Sequence, residues 1–158
     1  MEMPPSLTAW FATRGWSPHP HQSEMLARAD EPSLLLIAPT GGGKTLAGFL
    51  PTLAALADGS HKGLHTLYIS PLKALAADIK RNLRRPVEEA NLPIRIDDRT
   101  GDTPQSRRKA QRADPPHILL IPPESLALLL SYEDAPRMFA GLQRVVVDEI
   151  HALAESKR

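Results

Sequence analysis

Short apolar runs alternate with helix-patterned stretches along this chain, and few folds accommodate that alternation. SLLLIA (33–38) is a continuous apolar run followed by a glycine-rich turn, the pattern of a strand buried on both faces. LHTLYIS (64–70), IRID (94–97), HILLI (117–121) and RVVVD (144–148) supply the strands that follow. Between them lie helical segments. Residues 44–57 form one, which Pro51 is expected to kink or divide. Residues 72–84 carry Leu72, Leu75, Ala76, Ile79 and Leu83 at helical spacing, with Pro86 opening a separate turn through Ala90. Thr103 and Pro104 read as cap and first residue of a helix reaching Arg112, and PESLALLLS (123–131) is the last crossover. Short helices over 6–13 and 20–29 precede the first strand. Strands joined by helical crossovers imply an α/β domain with a mostly parallel sheet covered on both faces. Ligands of such sheets sit beyond the carboxyl ends of the strands, so the chemistry should reside just after each apolar run.

At 158 residues the chain has the size of one domain and can bury a core without disulfides. It contains no cysteine, which excludes disulfides and thiolate metal sites. Its start, MEMPPSLTAWFATRG, lacks the basic-then-apolar pattern of a signal peptide, and no apolar run approaches the roughly 18 residues of a membrane span. A cytoplasmic protein with no membrane partner is expected. Net charge is +1, so nucleic-acid binding would depend on local arrangement of donors instead of a strongly basic overall field. His19 and His21 flank Pro20, and His61 and His65 straddle Gly63, so the histidines suggest no metal constellation.

The first apolar run leads into APTGGGKT (38–45), which fits G-x-x-x-x-G-K-[ST] at Gly43, Lys44 and Thr45, with Ala38 in place of the first glycine. Small residues there let backbone N–H groups converge on phosphate oxygens at a helix start. Pro39, Thr40, Gly41, Gly42, Gly43, Lys44 and Thr45 are accordingly the expected nucleotide-binding residues. Lys44 would reach the terminal phosphates, and the Thr45 hydroxyl would bind Mg²⁺. The last run delivers Asp148 and Glu149 to a strand end, where Asp148 would hold the hydrated Mg²⁺ and Glu149 would orient the attacking water. An activated water points to nucleotide hydrolysis over simple kinase chemistry. The basic stretch SRRKAQR (106–112) is read as a solvated helix face.

In order, APTGGGKT, SPLKALA (70–76), RTGDT (99–103), PPESLALLL (122–130) and VVVDEIH resemble the first half of a superfamily 2 DExH helicase. The wording is similar to the large helicase-related, Lhr-type branch, especially the bacterial ligase-associated DExH helicases. The resemblance implies a parallel-sheet, RecA-like P-loop NTPase domain, the first helicase ATP-binding domain, incomplete at its C-terminus. Residues 1–30 would be N-terminal helices with a Q-motif-like segment, and 31–158 a truncated first RecA-like domain. It implies ATP and Mg²⁺ as cofactors, and catalytic roles for Lys44, Asp148, Glu149 and His151. Single-stranded DNA is the implied partner, with RNA or an RNA:DNA hybrid as the alternative, since DExH proteins of both kinds share these motifs. DNA repair or ligase-associated proteins are further implied partners.

GWSPHPHQ (15–22) resembles the Q motif, in which Gln22 would bond adenine; Trp16 would pack nearby or fill the core. Pro71 and Lys73, Thr100 and Gly101, and Pro123 and Ser125 would lie along the nucleic-acid path. Pro122 stands where relatives often have threonine, which removes a hydroxyl, and Gly42 where they commonly carry serine. Such enzymes couple two RecA-like domains, the second supplying arginine fingers. Only seven residues follow His151, so this chain is expected to bind ATP weakly and to turn it over scarcely. A non-catalytic module that binds nucleic acid or a partner is the rival from another class.

Overall fold

The computed structural model describes residues 1–38, 43–71 and 76–150. They divide into two compact units, one of residues 1–60 and 82–94, the other of residues 61–81 and 95–158.

In the first unit, α1 (Pro5–Thr13) starts on consecutive prolines and ends at Gly15, whose φ of +66° permits the left-handed turn that lets Trp16 N–H donate to the Phe11 carbonyl. Helix α2 (Pro20–Ala27) begins with Pro20 as its first residue and packs against α3 (Lys44–Leu56). Leu7, Trp10 and Phe11 of α1 are buried, as are Leu26 of α2 and Phe49, Leu50, Leu53 and Leu56 of α3. Each such side chain contributes roughly 1.5–3 kcal/mol on leaving water. That burial explains why Pro51 does not divide α3. One hydrogen bond to the Ala47 carbonyl is forfeited, while an apolar face on either side of the proline stays packed.

The expected strand over 33–38 is absent. No described strand pairs with its residues, and Leu35 and Ile37 are 72% and 86% exposed. Apolar composition alone does not make a strand; hydrogen-bonded pairing with a neighbouring strand is also required.

The second unit holds a four-stranded parallel sheet in the order β2-β3-β1-β4. Its strands are β1 (Thr66–Ile69), β2 (Ile96–Asp98), β3 (Ile118–Ile121) and β4 (Arg144–Val147). Thr66 stands opposite both Ile118 and Arg144, and Ile96 opposite Ile118, so the strands enter the sheet in step. Leu64, Leu67, Leu119 and Ile121 form a core with Leu129 of α6 (Pro123–Leu130) and Met138 of α7 (Ala135–Met138), a short helix the sequence pattern did not suggest. The remaining helices are α4 (Ala76–Glu89) and α5 (Gln105–Ala113). Pro86 opens no separate turn: it lies within α4, and its carbonyl accepts from Ala90 N–H. Nor does Thr103 cap α5, because its hydroxyl accepts from Thr100 N–H at 2.9 Å instead.

Strand β4 lies at the sheet's edge, with Val145 and Val147 50% and 39% exposed. Among the described residues, no helix is long and apolar enough to cross a membrane.

Candidate functional site

In the first unit, Gln22 links the start of α2 to the start of α3. Its Oε1 accepts from His19 N–H at 2.8 Å, and its Nε2 donates to the Gly43 carbonyl at 3.2 Å. That carbonyl also receives Ala47 N–H at 3.0 Å. Gly43 has φ +74°, a conformation that favours glycine, and a Cβ placed there would stand 2.6 Å from Gln22 Nε2, so the Gln22 amide would have to shift to admit one. Lys44 and Thr45 then open α3, half-buried. Among the described residues no side chain caps the first turn of this helix, and no acidic residue lies in it, so its positive end suits an anion. Pro39, Thr40, Gly41 and Gly42 lie outside the described residues, as do Lys73 and His151.

Trp16 is not core: it is half exposed, edge-on to Trp10 at 5.7 Å, with the Arg14 guanidinium 4.9 Å from its ring centre. Arg14 is held there by Glu89, which also accepts Trp10 Nε1–H at 2.8 Å.

In the second unit, parallel strands bring the other candidates to one edge of the sheet. Ser70 and Pro71 follow β1, Thr100 and Gly101 follow β2, Pro123 and Ser125 follow β3, and Asp148 and Glu149 follow β4. Ser70, Thr100 and Ser125 are buried, whereas Gly101 is exposed.

The Thr100 turn is braced from α5. Arg108 donates to the carbonyls of Thr100 and Gly101, both at 2.9 Å, while the Thr100 hydroxyl accepts from Asp102 N–H at 3.2 Å. Arg107 reaches Asp97 at 2.5 Å and Asp98 at 2.8 Å, and Lys80 pairs with Asp98 at 2.7 Å. Buried Gln111 donates to Asp97 Oδ2 and the Asp98 carbonyl and accepts from buried Arg99. Burial pushes the Asp97 carboxyl up, but Arg107, Gln111 and the Asp98 amide outweigh it and hold it at about 2. Burial lowers the Arg99 guanidinium. The stretch over 106–112 is largely exposed, as read, but Gln111 is buried and Arg107 and Arg108 bond back to the end of β2 and the turn after it.

At the end of β4, Asp148 N–H donates to the Ile69 carbonyl at 3.0 Å. Its carboxylate is held on both oxygens, Oδ1 by Glu149 N–H at 2.9 Å and Oδ2 by the hydroxyl of Tyr68. Tyr68 is 2% exposed; burial first, then its bond to Asp148 and the charges of Asp148 and Glu149, raise the phenol far above its ordinary value. It therefore remains a donor at any ordinary pH. Glu149 has φ +54°, a left-handed conformation costly for a residue with a side chain. Sequence reasoning missed Tyr68; the available signal was a phenol in a strand where an aliphatic side chain would suffice.

Residues 19–158 match the family model for DEAD/DEAH box helicases. The chain is 43% identical, over 94% of its length, to the Lhr helicase/probable uracil glycosylase of Mycolicibacterium smegmatis, and covers 11% of that protein. It is 35% identical, again over 94%, to the ATP-dependent helicase Lhr-Core of Methanocaldococcus jannaschii, covering 20% of it. The solved structure of Mycobacterium smegmatis helicase Lhr bound to ssDNA and AMP-PNP superposes on 96% of the chain with a TM-score of 0.82 at 41% identity, the match covering 21% of that structure. The DUF1998 helicase MrfA bound to DNA and AMPPNP superposes with the same score at 30% identity, over 96% of this chain and 22% of its own. The chain thus spans between a tenth and a fifth of these curated relatives.

Proposed function

This chain belongs to the DEAD/DEAH box helicase family, with Lhr helicases among its relatives, and we propose that it carries the ATP-binding part of an ATP-dependent helicase together with part of a track for single-stranded DNA. The observation that carries this reading is the common edge of the parallel sheet. Asp148 and Glu149 follow the edge strand, and the proposed nucleic-acid residues follow the other three. The Lhr structure that this chain resembles was solved with ssDNA and AMP-PNP, which supports DNA and ATP as the ligands.

ATP fits the residues present. The acid-free start of α3 suits phosphate, and Gly43 supplies a left-handed turn that favours glycine. Pro39, Thr40, Gly41, Gly42, Gly43, Lys44 and Thr45 would cradle the phosphates. Gln22 keeps one N–H and one lone pair beyond its two bonds, which suits the paired donor and acceptor of an adenine edge. Mg²⁺ also fits: a hard cation held through phosphates needs few carboxylates, and each Asp148 oxygen retains a lone pair. Asp148 would serve as its carboxylate ligand, Glu149 would orient water and His151 would complete the motif, while Thr45 at the start of α3 would offer its hydroxyl to phosphate-bound Mg²⁺.

For nucleic acid, the exposed Gly101 backbone, Thr100, Pro71, Lys73, Pro123 and Ser125 would meet the phosphodiester chain. Titration with a fluorescent ATP analogue tests the first part: Lys44→Ala should weaken binding at least about tenfold, and unchanged affinity would overturn the reading. Competition between single-stranded DNA and RNA of one sequence tests the second. Tighter binding of RNA would reassign the substrate.

A further inference from the structure

We infer that Tyr68 is a positioning residue for Asp148, fixing the plane of its carboxylate and hence the direction of the lone pairs it offers to a divalent cation. The inference rests on the proposed role of Asp148 and adds a residue that no motif identifies.

Tyr68 is buried in the middle of β1, opposite Val146 in the parallel register with β4, two residues short of Asp148. The next residue of β1, Ile69, holds the Asp148 main chain through its carbonyl. Main chain and side chain of Asp148 are therefore both referred to the same two residues of β1.

A carboxylate bonded on one oxygen can still rotate about its terminal torsion, which is broad for aspartate. Bonded on both, by the Tyr68 hydroxyl and by Glu149 N–H, it has one orientation. A strand interior needs no phenol for packing, since leucine or phenylalanine would fill the space, and a buried hydroxyl demands a partner. The partner here is Asp148, the carboxylate that the proposed function assigns to the cation. Groups that orient a metal-binding carboxylate without touching the metal commonly change affinity by 10–100-fold when removed.

The test is Tyr68→Phe, which keeps the ring and deletes the donor. The Mg²⁺ concentration that half-maximally supports binding of a fluorescent ATP analogue should rise about tenfold or more. Binding in excess chelator should stay at the parent value. Asp148→Asn is the reference. If Asp148→Asn shifts the Mg²⁺ dependence and Tyr68→Phe does not, the positioning role is wrong. If Asp148→Asn shifts nothing, the assignment of Asp148 fails and the inference falls with it. A crystal structure of Tyr68→Phe decides independently of any nucleotide binding: a carboxylate rotated from, or disordered about, its parent plane supports the role, and an unchanged one overturns it.

Discussion

Gly43 shows how closely one position can be constrained. Any side chain there takes on a left-handed backbone, costing about 1–2 kcal/mol, and collides with the Gln22 amide. Gly43→Ala should lower stability by about 2 kcal/mol in urea unfolding. Adding Gln22→Ala should recover the steric share, so the pair would lose less than the sum of the single changes. His65 makes a prediction in pH. Burial first, then the charges of His61, Arg144 and His117, pull its ring down to about 4. An unfolded histidine takes up its proton near 6.5, so between these values the unfolded chain binds more protons. Stability should therefore decline as pH falls from about 6.5 toward 4, by roughly 1–3 kcal/mol, and His65→Gln should flatten the urea midpoint over that window. The glycines and Lys44 stood out in the sequence because phosphate binding demands those residue types at fixed spacing, and of them Gly43 and Lys44 are found at the start of α3. Tyr68 was not, because its hydroxyl matters only through a parallel register that joins residues eighty positions apart.

At the scale of elements, α5 and the turn after β2 behave as one piece. Arg108→Ala would leave the Thr100 and Gly101 carbonyls without their guanidinium, and amide exchange at Asp102 and Thr103 should quicken relative to the sheet. Gln111→Leu removes one partner each of Asp97 and of buried Arg99, and urea denaturation should register a loss of about 2–4 kcal/mol. A helical pattern with basic residues at 107 and 108 looks solvated until Asp97 and Asp98 are known to face it, and strand order decides that. The four strands of the sheet were readable from their apolar runs. The prolines misled because breaking propensity is local, whereas Leu53 and Val87, buried just beyond Pro51 and Pro86, keep those helices intact. SLLLIA misled in the other direction, since hydrophobicity cannot report whether a neighbouring strand is present to pair with.

At the largest scale, the candidate residues of the second unit follow the carboxyl ends of its strands, and its sheet is open along one side among the described residues. The parallel alternation made that placement predictable, and similarity to Lhr helicases extends over 94% of the chain. The open side has a different outcome. Strand β4 pairs with β1 on one flank, and its other flank carries no described strand beside the exposed Val145 and Val147. An edge strand beside exposed apolar side chains is a ready template for another extended chain. Sedimentation of this polypeptide should accordingly depend on concentration, and Val145→Lys should shift it toward the monomer while leaving Asp148 and its two hydrogen bonds in place. Solubility would then be governed by four residues of main chain at one margin, and the protein's upper working concentration would be set by strand geometry more than by net charge.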